Sequence, residues 1–244
     1  MGVSVGGGTG PDELVGEPGP GPRRRPPVVL ALPVVAAVIV FGLLTWQVAS
    51  SGPLVRLDGT VRDGLGALTA AHPAVLTAGR VCADAGTPTL VAILLAVVAG
   101  VLAFERRTGS PVYRAAFALF LLGVTVLFMK GLIHRPGPDG TPPRGLNGYF
   151  PSGHTASALT CYGGILLLLA AGRRRAVRVV LLAALAVIGA LVGTGLLVCE
   201  YHWFSDVLAS IALSFAILWV TFPPGHDHSL LARAKDGGEP PEDP

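Results

Sequence analysis

Charge is what this chain has least of. Only 14% of its 244 residues are Asp, Glu, Lys or Arg, against about 25% in a typical soluble domain. With 51% hydrophobic residues and a mean hydropathy of +0.63, that balance excludes an ordinary soluble globule. Cysteine is scarce too. Cys82, Cys161 and Cys199 are scattered, with no C-x-x-C or other metal-like spacing, so they read as buried thiols that say nothing of redox compartment. A strong charge of one sign is also missing. The net charge is only +3, and the basic residues sit in short loops, a pattern that fits membrane topology and not nucleic-acid binding. Ionisable residues are not spread through the middle of the apolar runs, which argues against a proton-coupled transporter.

Long apolar runs are what the chain has instead. Runs near or above ~18 residues read as transmembrane helices. Six are expected, over about 28–49, 88–104, 112–133, 155–171, 179–199 and 203–222. The reading is an all-α integral membrane protein, a six-helix bundle over residues 28–222. Residues 1–27 and 223–244 are Gly/Pro-rich or polar tails without apolar periodicity and are expected to be disordered. Residues 50–87 read as a more polar loop, parts of which suit an amphipathic interfacial helix. Of eighteen Lys and Arg, twelve fall at 23–25, 106, 107, 114, 173–175, 178, 233 and 235, and six on the opposite side. The richer side is expected to be cytoplasmic. Both termini are then cytoplasmic, and the loops at 50–87, 134–154 and 200–203 face outward. Trp203 and Tyr201 read as interfacial aromatics.

Six polar residues converge on that outer side. Lys130 and Arg135 lie at the end of the third run, Ser152 and His154 at the start of the fourth, and His202 and Asp206 at the turn between the fifth and sixth. Phosphate-ester cleavage through a covalent intermediate needs a nucleophile, an acid for the leaving oxygen, and cations or N–H groups around the phosphoryl group. His202 is the candidate nucleophile, with Asp206 one helical turn on to hold a ring nitrogen. His154 is the candidate acid and base. Ser152 and the Gly153 N–H, at a helix start, are natural phosphate donors. Lys130 and Arg135 supply charge. No metal site and no cofactor is implied.

The segments Phe150-Pro151-Ser152-Gly153-His154-Thr155 and His202-Trp203-Phe204-Ser205-Asp206, preceded by a lysine and an Arg-Pro pair, resemble the three signature blocks of the type-2 phosphatidic acid phosphatase superfamily. The likeness covers about residues 110–220. It implies a six-helix, metal-independent membrane phosphatase acting on lipid phosphates or polyprenyl diphosphates at the plasma membrane. By this resemblance His202 attacks phosphorus, Asp206 orients it, His154 protonates the leaving alkoxide, and Lys130, Ser152 and Gly153 hold the phosphate. Two arginines of the pattern are out of place. The first block usually reads lysine, six intervening residues, then Arg-Pro, where this chain has Gly137-Pro138; the third usually opens Ser-Arg, where it has Gly195 and Leu196. Each charge-assisted contact to phosphate is worth roughly 1.5–3 kcal/mol, so a substitute is expected. Arg135 is the first candidate and Arg144 the second, with His134 a further donor.

The leading expectation is therefore a phosphatase of membrane lipids, with the lipid phosphate reaching the site through the bilayer. The alternatives on the same fold are a non-catalytic lipid-phosphate binder or transporter, and a phosphoryl or headgroup transferase. The intact pair His154 and His202 with Asp206 favours the first, because binding alone needs neither an acid nor an oriented nucleophile.

Overall fold

The computed structural model of the chain describes Gly2 and residues 27–143 and 148–223. The expected disorder of the two tails, and Arg144, lie outside the described residues. Within them the chain is all-helical, with no strand: α1 (Pro27–Ala49), α2 (Pro53–Ala71), α3 (Pro73–Asp84), α4 (Pro88–Glu105), α5 (Ser110–Ile133), α6 (Gly153–Ala170), α7 (Arg175–Val198) and α8 (Phe204–Thr221). Proline occupies the first turn of α2, α3, α4 and α5. There its missing N–H has no acceptor to lose and its fixed φ suits the helix.

Helices α1, α4, α5, α6, α7 and α8 are long and apolar enough to cross a membrane, and they answer to the six expected runs. The largest shift is in α7, which begins at Arg175 and not at Val179, so its first turn takes in basic residues that an apolar-run criterion leaves out. The segment 50–87 differs more from expectation. It is almost wholly helical, folded into α2 and α3, which pack on α7 and α8.

Burial separates the spans into two kinds. About two thirds of α6 and of α8 is buried, against 11–28% of the other four. The two central helices meet through small buried residues, among them Ala156 and Gly163 on α6 and Ser210 and Ser214 on α8. Hydroxyls tie them together: Ser210 Oγ donates to the Ser152 carbonyl at 2.9 Å and Ser214 Oγ to that of Ala156 at 3.1 Å. Such interhelical bonds contribute about 0.6 kcal/mol each in a membrane. The peripheral helices turn Leu94, Phe117, Phe120, Phe128 and Val180 outward, as a lipid-facing surface requires. The rigid centre thus carries the starts of α6 and α8, where both histidine motifs lie.

Candidate active site

Helix α5 ends at His134, which takes the left-handed conformation (φ 47°). That uncommon choice for a non-glycine residue turns the chain sharply and sends Arg135 inward. The loop then forms a compact turn in which the Gly137 N–H donates to Thr141 O at 2.9 Å. Asp139 accepts from the Thr141 N–H and hydroxyl at 2.9 and 2.6 Å, and these bonds hold its carboxyl below the usual range. The chain returns beside α5 at Gly148, whose carbonyl accepts from Lys130 Nζ at 2.6 Å. Only glycine fits there, because a Cβ would lie 2.5 Å from Lys130 O.

Ser152 caps α6. Its Oγ accepts the Thr155 N–H at 3.3 Å, and its own N–H donates to Asp206 O at 3.3 Å. The first amides of the helix, those of Gly153 and His154, have no intrahelical acceptor. At the start of α8, Asp206 reaches back to the turn. Its Oδ2 accepts the Trp203 N–H at 3.1 Å and lies 3.3 Å from His202 Nδ1. With Nδ1 so engaged, Nε2 is the free nitrogen of His202.

A cavity of about 290 Å³ joins these parts. Lys130, Gly148, Tyr149, Gly153, His154 and His202 line it, with Pro88 at the start of α4. The Tyr149 ring meets the His202 ring edge-on, 5.8 Å between centroids. Residues from α5, the 134–152 loop, α6 and the α7–α8 turn thus share one space. An imidazole backed by a carboxylate, a second imidazole, an ammonium group and helix N-terminal amides are the equipment for moving a phosphoryl group.

Two expected phosphate ligands are not among the lining residues. Ser152 is fully buried, and its hydroxyl is engaged as the α6 cap. Arg135 is 7% exposed and lies behind Asp206. Its Nη1 donates to Asp206 Oδ1, the oxygen that His202 does not use, and to Ser205 Oγ, while its Nη2 donates to Asp58 Oδ2. Its guanidinium also stacks over Trp203 at 5.1 Å. Trp203 is accordingly more than an interfacial aromatic, since its indole N–H donates to Pro136 O at 2.9 Å. His134 is exposed and does not line the cavity. Leu196, at the third block's arginine position, is fully buried in a cluster with Ala83, Ala158 and Val192. Helix α3 closes on α7 there, and a Cβ on Gly195 would come within 2.5 Å of Gly79 O.

Sequence reasoning missed Asp58, Ser205, Gly148 and Tyr149. One signal for Asp58 was present: it interrupts the apolar stripe Leu54, Val61, Leu65 of an amphipathic helix, the place where a charge demands a partner.

The fold and the site together define a multi-pass membrane protein with a paired-histidine centre at one end of the bundle. Residues 111–227 match the model of the PAP2 superfamily. No curated protein matches the chain. Among solved structures, the fold is similar to that of a transmembrane PAP2-type phosphatidylglycerolphosphate phosphatase from Bacillus subtilis, with a TM-score of 0.67 over 80% of this chain and 96% of that one. Identity is 20%, so this likeness is one of fold.

Proposed function

We propose that the protein is a membrane phosphatase that cleaves a lipid phosphate monoester or a polyprenyl diphosphate through a phosphohistidine, without a metal. The observation that carries the reading is the shared cavity of His202 and His154, with Asp206 on the inner nitrogen of His202. His202 Nε2 attacks phosphorus. The bond from phosphorus to the leaving oxygen breaks, and His154 gives that oxygen its proton. Water then attacks the phosphohistidine, His154 takes the water's proton, and the P–N bond breaks to return His202 and inorganic phosphate. Asp206 holds the imidazole in the productive tautomer and stabilises its positive charge.

Lys130 and the amides of Gly153 and His154 hold the phosphoryl oxygens. The carbonyl of Gly148 parks the ammonium group at the cavity wall in the free protein. Ser152 supports the site by fixing the start of α6, and Arg135 by fixing Asp206. The twelve-to-six division of basic residues supports an extracytoplasmic site and cytoplasmic termini at the cell membrane. A substrate anchored in the bilayer then meets the cavity at the level of its own headgroup.

The test is phosphate release by purified protein from a panel of lipid phosphates and polyprenyl diphosphates in EDTA, beside His202→Ala. Release that the substitution lowers by at least about 10³-fold is expected, because removing a covalent nucleophile leaves only binding and electrostatics. Release that needs a divalent ion would refute the metal-free route. Binding without release moves the reading to a lipid-phosphate binder, and release of a phosphorylated acceptor other than water moves it to a transferase.

A further inference from the structure

We propose that Asp58, on α2 and outside the superfamily-matched region, is a positioning residue that fixes the nucleophile's carboxylate from behind. This rests on the phosphatase reading for its kinetic arm alone. Asp58 is 1% exposed, and both of its oxygens are occupied. Oδ1 accepts the Ser205 N–H at 2.8 Å, and Oδ2 accepts Ser205 Oγ–H at 2.7 Å together with Arg135 Nη2. Ser205 Oγ in turn accepts from Arg135 Nη1 at 2.7 Å. Asp58, Ser205 and Arg135 therefore close a ring of hydrogen bonds. Among the side-chain bonds of these three residues, the one that leaves the ring for the active site runs from Arg135 Nη1 to Asp206 Oδ1.

The charges explain why Arg135 is shared between two carboxylates. Arg135 alone behind Asp206 would neutralise it and compete with His202 for its charge. Asp58 takes the other half of the guanidinium, so the buried group Asp58–Arg135–Asp206 keeps one net negative charge for the imidazole. The arrangement also holds geometry. Asp58 anchors the first turn of α8 through the Ser205 amide, and Arg62, one turn further along α2, donates to Pro138 O at 3.2 Å and covers Trp203 at 5.5 Å. Helix α2 thus grips both the loop that delivers Arg135 and the turn that delivers His202. Buried ion pairs contribute little net stability against well-packed apolar residues. Positioning is the better account of why an acid interrupts the apolar stripe of α2.

The experiment uses the full chain in lipid nanodiscs. Wild type and His202→Ala are assayed first, then Asp58→Asn, Arg135→Gln and the double variant. Asp58→Asn is expected to lower kcat about 10–100-fold, the usual cost of losing a group that orients a catalytic ligand, with KM held within about twofold. If Asp58 acts through Arg135, the double variant is no slower than Arg135→Gln alone. A kcat within twofold of wild type, or losses that multiply in the double variant, overturns the proposal.

A second arm needs no substrate. Carbethoxylation of His202 and His154 by diethyl pyrocarbonate is followed by mass spectrometry. In alkaline buffer, where the imidazoles are neutral and only their nucleophilicity differs, His202 reacts more slowly in Asp58→Asn, with Asp206 less firmly held, while His154 keeps its rate; an unchanged or faster His202 overturns the claim. Should wild type release no phosphate, the phosphatase reading fails and this arm decides the positioning claim alone. If Asp58→Asn does not fold, Ser205→Ala opens the ring with both charges kept. It is expected to slow His202 labelling by a smaller factor, and labelling at the wild-type rate counts against the ring.

Discussion

The two oxygens of Asp206 face two different worlds. On the Oδ2 side lie His202 and then an open cavity with Lys130, His154 and the first amides of α6. These groups have donors and acceptors still to use, as a site awaiting a ligand must. On the Oδ1 side lie Arg135, Ser205 and Asp58, all buried and bonded to one another. The front is built to change partners during a reaction, and the back to keep them. Preorganised electrostatics requires both, because dipoles that must reorient during the chemical step stabilise the transition state less.

Substitutions on the two sides should therefore fail differently. The largest effect on the fold is expected behind Asp206. Arg135→Ala strands two buried carboxylates, and breaking a buried ionic network costs about 3–5 kcal/mol. Thermal unfolding should show a strongly lowered midpoint, and the surviving activity should be reduced in kcat more than in KM. A normal midpoint with a raised KM would instead return Arg135 to the phosphate-binding set. Lys130→Met, at the front, should leave unfolding nearly unchanged. It should lower kcat/KM by about 10–100-fold, the equivalent of one charge-assisted phosphate contact of roughly 1.5–3 kcal/mol. Steady-state kinetics beside a melting curve separates these two outcomes. The smallest effect is expected at the seam between the sides. Ser152→Ala removes the α6 cap and should cost about 0.5–2 kcal/mol of stability, with activity falling only as far as the start of α6 loosens. A collapse of activity with an unchanged melt would make the Ser152 hydroxyl a phosphate ligand.

The same division explains what could be read from the sequence. The front is made of short local motifs. Ser152-Gly153-His154 is contiguous, and His202 and Asp206 are one helical turn apart, so chemistry and spacing announce each other. The spans were legible because long apolar runs have few other uses. The back depends on partners far apart in the chain: Arg135 meets residues 70, 71 and 77 positions away, and Asp58 meets Ser205 across 147. No local pattern reports such pairings. The displaced arginine was visible, but its direction was not, because the left-handed turn at His134 decides it. The segment 50–87 looked like a loop because its helices are amphipathic and carry charges, with no long apolar run. Its role appears only once α2 is packed against α8. The missing arginine at Leu196 has a packing cause, since the approach of α3 at Gly195 fills that place with apolar side chains.

The most direct test of the account is to catch the intermediate. Purified protein turning over, in EDTA, a lipid phosphate labelled in its phosphoryl group would be quenched with alkaline detergent and the labelled peptide sequenced by mass spectrometry. The account predicts an acid-labile, alkali-stable phosphoryl group on His202, absent from His202→Ala. Label on any other residue, or steady turnover in the His202→Ala protein, would contradict it.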